Sequence, residues 1–254
     1  MLRNTFLHVP GIGAISEQKL WSSGIHTWEA LLQIDPFRLS QRKVQSLKEC
    51  IGESKRHLEE NNPDYFAGLL PSNQLWRLFH EFRDSLAYVD IETTGLNSWG
   101  NYITTIALYD GRSISHYIHG HNLDEFMEDI GKYRVIITYN GKCFDVPFIE
   151  SYMGIEMDHA HIDLRYLLKS LGYRGGLKGC EKMLDIDRGD LDGIDGYFAV
   201  LLWEDFRRRG NGKALETLLA YNMLDVVNLE TLMVIAYNSK LRDTPFSHTH
   251  QLPE

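Results

Sequence analysis

Residues 86–96 read Leu-Ala-Tyr-Val-Asp-Ile-Glu-Thr-Thr-Gly-Leu, and this stretch decides the fold. Its first six residues are nearly all apolar, which predicts a buried β-strand. Asp90 and Glu92 lie two residues apart, so both side chains leave the strand on the same face. Burying two neighbouring carboxylates is costly without a counter-charge. A hard divalent cation that prefers oxygen ligands, Mg²⁺ or Mn²⁺, supplies that charge.

An exposed strand face that carries two solvated acids is the other interpretation of this pair. The apolar neighbours Ala87, Val89 and Ile91 argue against it, because such a run belongs to a strand buried in a core. We therefore expect the two carboxylates to belong to a metal site.

The strands and helices that follow are in the order of an α/β domain. Four more strands are predicted, at residues 102–109, 113–119 and 134–139 and around Ile162. Asp110-Gly111, between the second and third strands, is a type I′ turn signal. Helices are predicted at 123–132, from Phe144 onward, and at about 164–171, 176–184, 194–209 and 213–237. This order predicts a mixed sheet flanked by helices.

Three segments are distinguished along the chain. They are a helical region at residues 1–72, the α/β domain at 73–238 and a polar, loose tail at 239–254. Within the first region, a long helical stretch covers residues 38–60. After this region, a helix at about 73–83 leads into the strands of the α/β domain. The front of the chain is therefore expected to be all-α.

Residues 138–149 read Thr-Tyr-Asn-Gly-Lys-Cys-Phe-Asp-Val-Pro-Phe-Ile and follow the fourth predicted strand. Asp145 lies where a helix begins, and an N-cap is one explanation for it. A turn explains Asn140-Gly141 in the same way. Ligands of open α/β sheets, however, bind at the carboxyl ends of strands, and both Asp90 and this segment lie at such ends. We therefore include Asp145 in the candidate site.

Residues 221–225 read Tyr-Asn-Met-Leu-Asp and lie in a predicted helix. Tyr221 and Asp225 are four residues apart and share one helix face. Such a pair occurs by chance in many exposed helices. As a fourth carboxylate, however, Asp225 completes a set that can hold two metal ions, which together activate water and stabilise the leaving oxygen of a phosphodiester.

Together the three segments resemble the exonuclease motifs of the DEDD superfamily, whose domains have a ribonuclease-H-like fold. The Asn-Gly-x-x-Phe-Asp-x-Pro pattern at residues 140–147 is similar to the second motif of family B polymerase proofreading domains. The Tyr-x-x-x-Asp pattern resembles the DEDDy branch, since the DEDDh branch has a histidine where this chain has Ala220. The resemblance covers residues 86–237, and the architecture is similar to that of stand-alone YprB-type exonuclease-like proteins.

This resemblance implies a 3′-5′ exonuclease mechanism with two Mg²⁺ or Mn²⁺ ions. Asp90 then bridges both ions, and Glu92 and Asp225 complete the ion that activates water. Asp145 supports the second ion through water. Tyr221 orients the attacking water, because a phenol with a pKa of about 10 is a poor base near neutral pH.

Contacts with the substrate are implied by the same resemblance. Thr93, Gly95 and Leu96 are expected to meet the 3′-terminal nucleotide. Asn140 is expected to form a hydrogen bond near the site.

The turn Pro10-Gly11-Ile12-Gly13 at the front of the chain resembles the hairpin of a helix-hairpin-helix motif. In such a motif the glycines let backbone N–H groups approach a DNA phosphate, with help from the N-terminus of the next helix. Gly11, Gly13 and Lys19 are the implied contacts with the DNA backbone. A tight helical hairpin that serves only for packing explains the same residues equally well.

Composition bounds the class of protein. The net charge of −9 argues against a strongly basic surface that would bind long duplexes nonspecifically. The three scattered cysteines indicate reduced thiols, and no signal-peptide core is evident near the N-terminus, so a cytoplasmic location is expected. No run of about 18 apolar residues is present, so no membrane partner is expected.

These observations predict a metal-dependent 3′-5′ exonuclease that acts on single-stranded ends. DNA is favoured over RNA because of the front-end turn, although 2′-OH discrimination leaves no trace in the sequence. Two alternatives stay open, namely an exoribonuclease and a catalytically silent nucleic-acid-binding module. The patterns do not determine the oligomeric state, and a monomer is consistent with them.

Overall fold

The computed structural model describes residues 1–33 and 41–253. The chain forms two compact units, one made of residues 1–84 together with 237–252, and the other made of residues 85–236. Within the described residues, the smaller unit is helical and the larger unit contains the sheet.

Among the described residues, the smaller unit has four α-helices before the sheet begins. These are α1 (Ala14–Ser22), α2 (Trp28–Leu32), α3 (Gln41–Glu59) and α4 (Pro63–Leu69). The predicted long helical stretch corresponds to α3, and its first residues, 38–40, lie outside the described residues. The front of the chain is therefore all-α where it is described, as expected.

The segment that leads toward the sheet differs from the prediction. Ser72–Leu78 is a 3₁₀-helix where the sequence predicts an α-helix over 73–83, and it belongs to the smaller unit. The rings of Trp76 and Phe79 both pack edge-on against Tyr237, with centroids 5.6 and 5.7 Å away. These aromatic contacts explain why the larger unit begins after this segment and not before it.

The turn at Pro10–Gly13 forms as predicted and leads directly into α1. A helix-hairpin-helix has a helix on both sides of the hairpin. In the described residues, a three-residue 3₁₀-helix, Leu2–Asn4, is the only helical segment before this turn. The resemblance to the motif therefore covers the hairpin and the second helix alone.

The polar tail is packed rather than loose. Phe246 is only 6% exposed, and its ring lies edge-on to Trp21 with centroids 5.6 Å apart. Asn238 and Leu252 exchange two hydrogen bonds, each 2.9 Å long. The expectation of a loose tail was wrong because one buried aromatic ring and one side-chain amide hold a segment that is otherwise polar.

In the described residues, the larger unit is built on a five-stranded sheet. Its strands are β1 (Leu86–Thr93), β2 (Ile103–Tyr109), β3 (Ile114–Ile118), β4 (Val135–Thr138) and β5 (Ala160–Asp163). Their order in space is β3-β2-β1-β4-β5. β2 is antiparallel to both of its neighbours, whereas β4 is parallel to both β1 and β5. The predicted mixed sheet is confirmed.

The loop between β2 and β3 is longer than the predicted two-residue turn. Tyr109 pairs with Ile114, so four residues connect the strands. The Asp110 side chain closes this loop, because its Oδ1 accepts hydrogen bonds from the N–H groups of Arg112 and Ser113 at 2.9 and 2.7 Å. The N–H of Asp110 also donates to the carbonyl of Ser113 at 3.3 Å, so a backbone hydrogen bond closes the loop as well. Of the two predicted turn residues, Gly111 has a positive φ, of 85°, and Asp110 does not, whereas a type I′ turn needs a positive φ at both, so the predicted type I′ turn does not form.

Helices of the larger unit flank the sheet. They are α5 (Phe126–Ile130), α6 (Asp145–Met153), α7 (Leu164–Ser170), α8 (Gly176–Met183), α9 (Gly196–Arg209) and, up to residue 236, α10 (Gly212–Leu241). By length and composition alone, α10 could cross a membrane, but 56% of its most apolar window is buried within the protein. That burial is typical of a core helix.

The two faces of β1 have different surroundings. Ala87, Val89 and Ile91 are buried in an apolar core together with Phe126 of α5 and Ile149 of α6. Because side chains alternate along a strand, the intervening acidic residues point to the other face. The strand therefore places its carboxylates on the side of the sheet opposite this core.

Candidate active site

Three carboxylates from two distant parts of the chain meet at the centre of the larger unit. Asp90 and Glu92 come from β1 and Asp225 comes from α10, and one oxygen of each lies within 4.8 Å of the others. Glu92 and Asp225 are 9% and 3% exposed, and Asp90 is half-buried. The structure thus brings together three of the four carboxylates that the sequence predicts at one site.

Asp145 lies beside this group rather than within it. It is buried, and its Oδ1 accepts a hydrogen bond of 3.2 Å from the N–H of Ile91. That amide stands between Asp90 and Glu92 in the chain. Asp145 is also the first residue of α6, whose N-cap is Phe144, so the alternative explanation of Asp145 as an N-cap is wrong.

Burial and mutual repulsion make these carboxylates hard to ionise. Burial raises the pKa of Asp90 and of Glu92 well above their ordinary values, and the charges of Asp225 and Asp145 raise it further. Burial also raises the pKa of Asp145 to about 7 and that of Asp225 to about 6. The protein alone therefore supplies too little positive charge for this cluster.

Two side chains that the sequence analysis did not single out hold the carboxylates in place. Arg188 donates from Nη2 to Oδ1 of Asp225 at 2.5 Å. Asn222 donates from Nδ2 to Oδ2 of Asp90 at 2.7 Å, and its own Oδ1 accepts from Oγ1 of Thr105 at 3.0 Å. Asn222 follows Tyr221 in the third acidic segment, so its position was a usable signal, whereas no pattern marks Arg188.

Tyr221 and Asp225 both line the site, as the spacing on one helix face predicts. Tyr221 is 5% exposed, and burial raises the pKa of its hydroxyl above the ordinary value. Its ring lies near two cations, with Nζ of Lys178 at 4.7 Å and Cζ of Arg188 at 5.3 Å from the ring centroid. These distances are typical of cation–π contacts.

Lys178 of α8 is a third residue that the sequence did not indicate. Within the described residues, its Nζ is buried and has no hydrogen-bond partner. Burial lowers the pKa of this ammonium, and the charge of Arg188 adds to the effect, while Asp225 and Glu92 oppose it. Lys178 therefore places one positive charge at the edge of the carboxylate cluster.

A cavity of about 740 Å³ opens over the carboxylates, and we call it the carboxylate pocket. The three residues that the sequence predicts to meet the terminal nucleotide, Thr93, Gly95 and Leu96, line it, and so does Asn140, which was expected to form a hydrogen bond near the site. Gly95 lies close to the side chain of Asn101, since a Cβ there would lie 2.6 Å from Oδ1 of Asn101 and would displace that side chain. The pocket thus joins the predicted metal ligands and the predicted substrate contacts in one concave surface.

The three predicted contacts with the DNA backbone lie in the smaller unit. Gly11 is in the turn before α1, Gly13 is the N-cap of α1, and Lys19 is in its last turn. All three are exposed at the surface. Their role in binding DNA stays a prediction.

Comparisons with known proteins agree with the architecture. A family model described as the RNase_H superfamily matches residues 87–237, more than half of the chain. A search among curated proteins found no match.

Several solved structures resemble parts of the chain. The family B DNA polymerase from the hyperthermophilic archaeon Pyrobaculum calidifontis has 16% sequence identity and a TM-score of 0.47, and the match covers 62% of this chain and 24% of the polymerase. Brucella melitensis NrnC has 19% identity and a TM-score of 0.45, with 65% and 78% of the two chains covered. The same protein bound to pGG has 17% identity and a TM-score of 0.44, with 68% and 81% covered. At these identities and TM-scores, the substrates and activities of these proteins cannot be assigned to this chain.

Proposed function

This chain belongs to the RNase_H superfamily, and we propose that it is a metal-dependent 3′-5′ exonuclease of the DEDDy type that acts on single-stranded nucleic acid. The observation that carries the proposal is the group formed by Asp90, Glu92 and Asp225, with one oxygen of each within 4.8 Å of the others. Largely buried carboxylates at such distances repel one another strongly unless cations are bound.

The donor set fits magnesium or manganese, because both prefer carboxylate oxygens as ligands. In the proposed site, Asp90, Glu92 and Asp225 would hold one ion, and Asp90 with Asp145 would hold a second. When bound, the two ions would supply activation of water and charge stabilisation at the leaving oxygen of a phosphodiester.

The protein's own side chains orient these carboxylates. Asn222 binds one oxygen of Asp90 at 2.7 Å, and Arg188 binds one oxygen of Asp225 at 2.5 Å. Each contact fixes one oxygen and leaves the second oxygen of the same carboxylate for a cation. Neighbours of this kind keep ligands in position before metal arrives.

Tyr221 is proposed to orient the attacking water through its hydroxyl group. Burial raises the pKa of this phenol, so it stays protonated near neutral pH and donates a hydrogen bond instead of accepting a proton. The cation–π contact with Lys178, at 4.7 Å, holds the ring in place.

Features of the carboxylate pocket support a single-stranded end as the substrate. Leu96 and Tyr197 both line the pocket and are 88% and 73% exposed. Apolar and aromatic surfaces beside a cleft allow unpaired bases to stack. DNA is the proposed preference, with the turn at Pro10–Gly13 as its support, and RNA is the alternative substrate.

One assay tests the whole proposal. Single-stranded DNA and RNA of the same sequence, each labelled at the 5′ end, are incubated with the protein and Mg²⁺, Mn²⁺ or EDTA. The expected result is a ladder of labelled products that shorten from the 3′ end only when metal is present. Intact strands that migrate more slowly would indicate a silent binding module, and decay of RNA alone would indicate the exoribonuclease.

Asp145→Asn tests the role of the Asp145 charge in the same assay. The amide keeps an oxygen that accepts the hydrogen bond from Ile91 but removes the charge. We expect the cleavage rate to fall about 100-fold or more, with no loss of fold by circular dichroism. Asp124→Asn, at an exposed position in the same unit, is the control and should cleave like the parent. Unchanged turnover in Asp145→Asn would remove this carboxylate from the mechanism.

A further inference from the structure

A second cavity, of about 560 Å³, adjoins the carboxylate pocket, and we call it the basic pocket. The two cavities share the same wall residues, namely Tyr139, Asn140, Gly175 and Gly176. A chain molecule that lies in one of them can therefore continue into the other. The predicted metal and nucleotide contacts do not account for this second cavity.

The rest of the basic pocket carries positive charge. Arg165 and Lys169 come from α7, and Arg174 comes from the loop that precedes α8. All three side chains are exposed, and none of them forms an ion pair with any residue in the described part of the chain. Among the described residues, no acidic side chain lines this cavity. A cavity with three cationic side chains and no acidic residue among its described lining residues is a suitable site for an anionic ligand.

The wall between the two cavities is fixed by hydrogen bonds. Asn140 has a left-handed backbone with φ of 68°, and its N–H donates to Oδ1 of Asp163 at 2.8 Å. Asp163 also accepts from the N–H groups of Lys142 and Arg165, at 3.1 and 3.0 Å. These backbone donors satisfy the Asp163 carboxylate.

The side chain of Asn140 links the shared wall to one of the cations. Nη1 of Arg165 donates to Oδ1 of Asn140, so the guanidinium is held against the wall that the basic pocket shares with the carboxylate pocket. A guanidinium in a fixed position suits a phosphate, since its donors match two phosphate oxygens at once. Tyr139 and Tyr173 add aromatic surface on which a base can rest.

We propose that the basic pocket binds a phosphate group of the substrate strand, next to the nucleotide that occupies the carboxylate pocket. This inference rests on the proposed function, because the occupant is a nucleic acid strand. The phosphate has two possible sources, an internal phosphodiester of a long strand or the 5′-terminal phosphate of a short oligonucleotide. Binding at this subsite would position the strand without selecting its sequence.

The test is the double substitution Lys169→Gln and Arg174→Gln. Both side chains are exposed, so the fold should not change. Lys132→Gln with Arg134→Gln is the matched control, because it removes the same charge at exposed positions beside the start of β4 instead of its end. Both pairs are made in the Asp145→Asn background and compared in EDTA, so that binding is measured without cleavage.

Binding of oligothymidylates of increasing length, with a 5′-phosphate or a 5′-hydroxyl, is measured by calorimetry at several salt concentrations. We expect the test pair to raise the Kd about tenfold and to reduce the salt slope by about 1.4, since each phosphate contact on a single strand contributes about 0.7. The control pair should change neither value.

The length series separates the two sources of phosphate. Loss of affinity confined to short strands with a 5′-phosphate assigns the terminal group, and loss shared by long 5′-hydroxyl strands assigns an internal phosphodiester. Equal affinity of the test pair and its parent, or an equal loss in the control pair, overturns the inference. Cleavage by the wild-type chain is scored separately, so a protein that binds through this pocket but does not cleave would contradict only the proposed function.

Discussion

Glu92 is a buried acid at the centre of the first prediction. It is 9% exposed, and within the described residues it forms no ion pair. Its pKa is raised well above the ordinary value, first by burial and then by Asp225 and Asp145. Glu92→Gln removes the charge with almost no change of volume. We expect the melting temperature in EDTA to rise by about 2–4 °C, which corresponds to about 1 kcal/mol in a unit of this size.

The same variant should lose most of its response to metal. Mg²⁺ is expected to raise the melting temperature of the parent, because a ligand that binds only the folded state stabilises it by mass action. Glu125→Gln, at an exposed position in the same unit, serves as the control and should respond to Mg²⁺ like the parent. A Glu92→Gln protein that melts lower in EDTA, or that keeps the full Mg²⁺ response, would contradict a ligand role for Glu92.

His8 makes the stability of the smaller unit depend on pH. It is 2% exposed, neither ring nitrogen has a hydrogen-bond partner in the part of the chain that the structure describes, and burial lowers its pKa from 6.5 to about 4. The folded state therefore binds this proton less readily than the unfolded state. The contribution is fully present above pH 6.5 and is lost as the pH falls toward 4, by about 2 kcal/mol between pH 7 and pH 5.

His8→Leu should remove this part of the pH dependence. Leucine fits the apolar surroundings, where the His8 ring lies 5.3 Å from Trp28 and 5.8 Å from Phe66 by their centroids. Urea unfolding at pH 7 and pH 5 measures the effect, and the variant should lose less stability than the parent on acidification. His248→Leu, at an exposed position in the same unit, is the control. An equal change in the free energy of unfolding between pH 7 and pH 5 for His8→Leu and the parent would contradict a role of His8 in the pH dependence.

Single residues differed in how well the sequence revealed them. Asp90 and Glu92 were predictable because strand period and apolar neighbours act within one short segment. Asp225 was predictable only through its spacing from Tyr221 and through the resemblance of the whole set. Lys178 left no local signal, because its place beside the carboxylates results from the fold and not from its neighbours in the chain.

At the scale of elements, a buried ion group ties the segment after α8 to α10. Arg188 donates from Nη1 to both carboxylate oxygens of Glu181 at 2.8 Å, and from Nη2 to Asp225. Arg188 and Glu181 are 6% and 1% exposed. Arg188→Met would leave both acids buried without their cation. We expect the free energy of unfolding in EDTA to fall by about 3–5 kcal/mol, as measured by urea denaturation.

A double substitution tests whether the fall in the free energy of unfolding comes from the Glu181 charge that Arg188→Met leaves unpaired. Arg188→Met with Glu181→Gln removes the charges of Arg188 and Glu181. The glutamine keeps an oxygen that can accept the 2.7 Å hydrogen bond that Asn228 donates to Glu181. It should recover part of the stability that Arg188→Met loses, because contacting residues are not additive. If the double variant is destabilised by the full sum of the two single changes, the buried pair is not the cause.

Strands and helices with a regular apolar pattern were predictable. Segments whose conformation depends on contacts of individual side chains were not. All five strands appear close to their predicted positions, because the apolar pattern of β1 and the β-branched run of β4 act locally. The loop from Asp110 to Ser113 departs from the prediction, since Asp110 lacks the positive φ of a type I′ turn and its carboxylate binds the N–H groups of the loop. The 3₁₀-helix at Ser72–Leu78 departs for a similar reason, because packing of its aromatic rings outweighs helix propensity.

At the scale of the whole molecule, the order of predicted helices and strands indicated the two kinds of architecture but not the path of the chain. The predicted boundary lies after residue 72, whereas residues 73–84 and 237–252 belong to the smaller unit. The return of the tail depends on Phe246, a single aromatic residue in a polar segment. Contacts between residues so far apart in the chain leave no periodic signal.

The proposed preference for DNA over RNA depends on a proposed role of the smaller unit. If the turn before α1 binds a DNA phosphate, its contact groups are the backbone near Gly13 and the exposed Lys19. A Cβ at Gly13 meets nothing within 4 Å, and the backbone there has an ordinary φ of −97°. Gly13→Ala with Lys19→Gln therefore fits the fold, at a cost of about 1 kcal/mol for the weaker N-cap.

We expect this double variant to bind long single-stranded DNA more weakly, with a salt slope smaller by about 0.7, because one cationic phosphate contact is lost. RNA of the same length carries the same phosphates, so it is measured in parallel, and a loss of affinity that is larger for DNA than for RNA would support the preference for DNA. Lys48→Gln, which removes an exposed charge from α3, is the control. Equal binding of DNA by the variant and its parent would make the turn a packing element, and the preference for DNA over RNA would then lose its support.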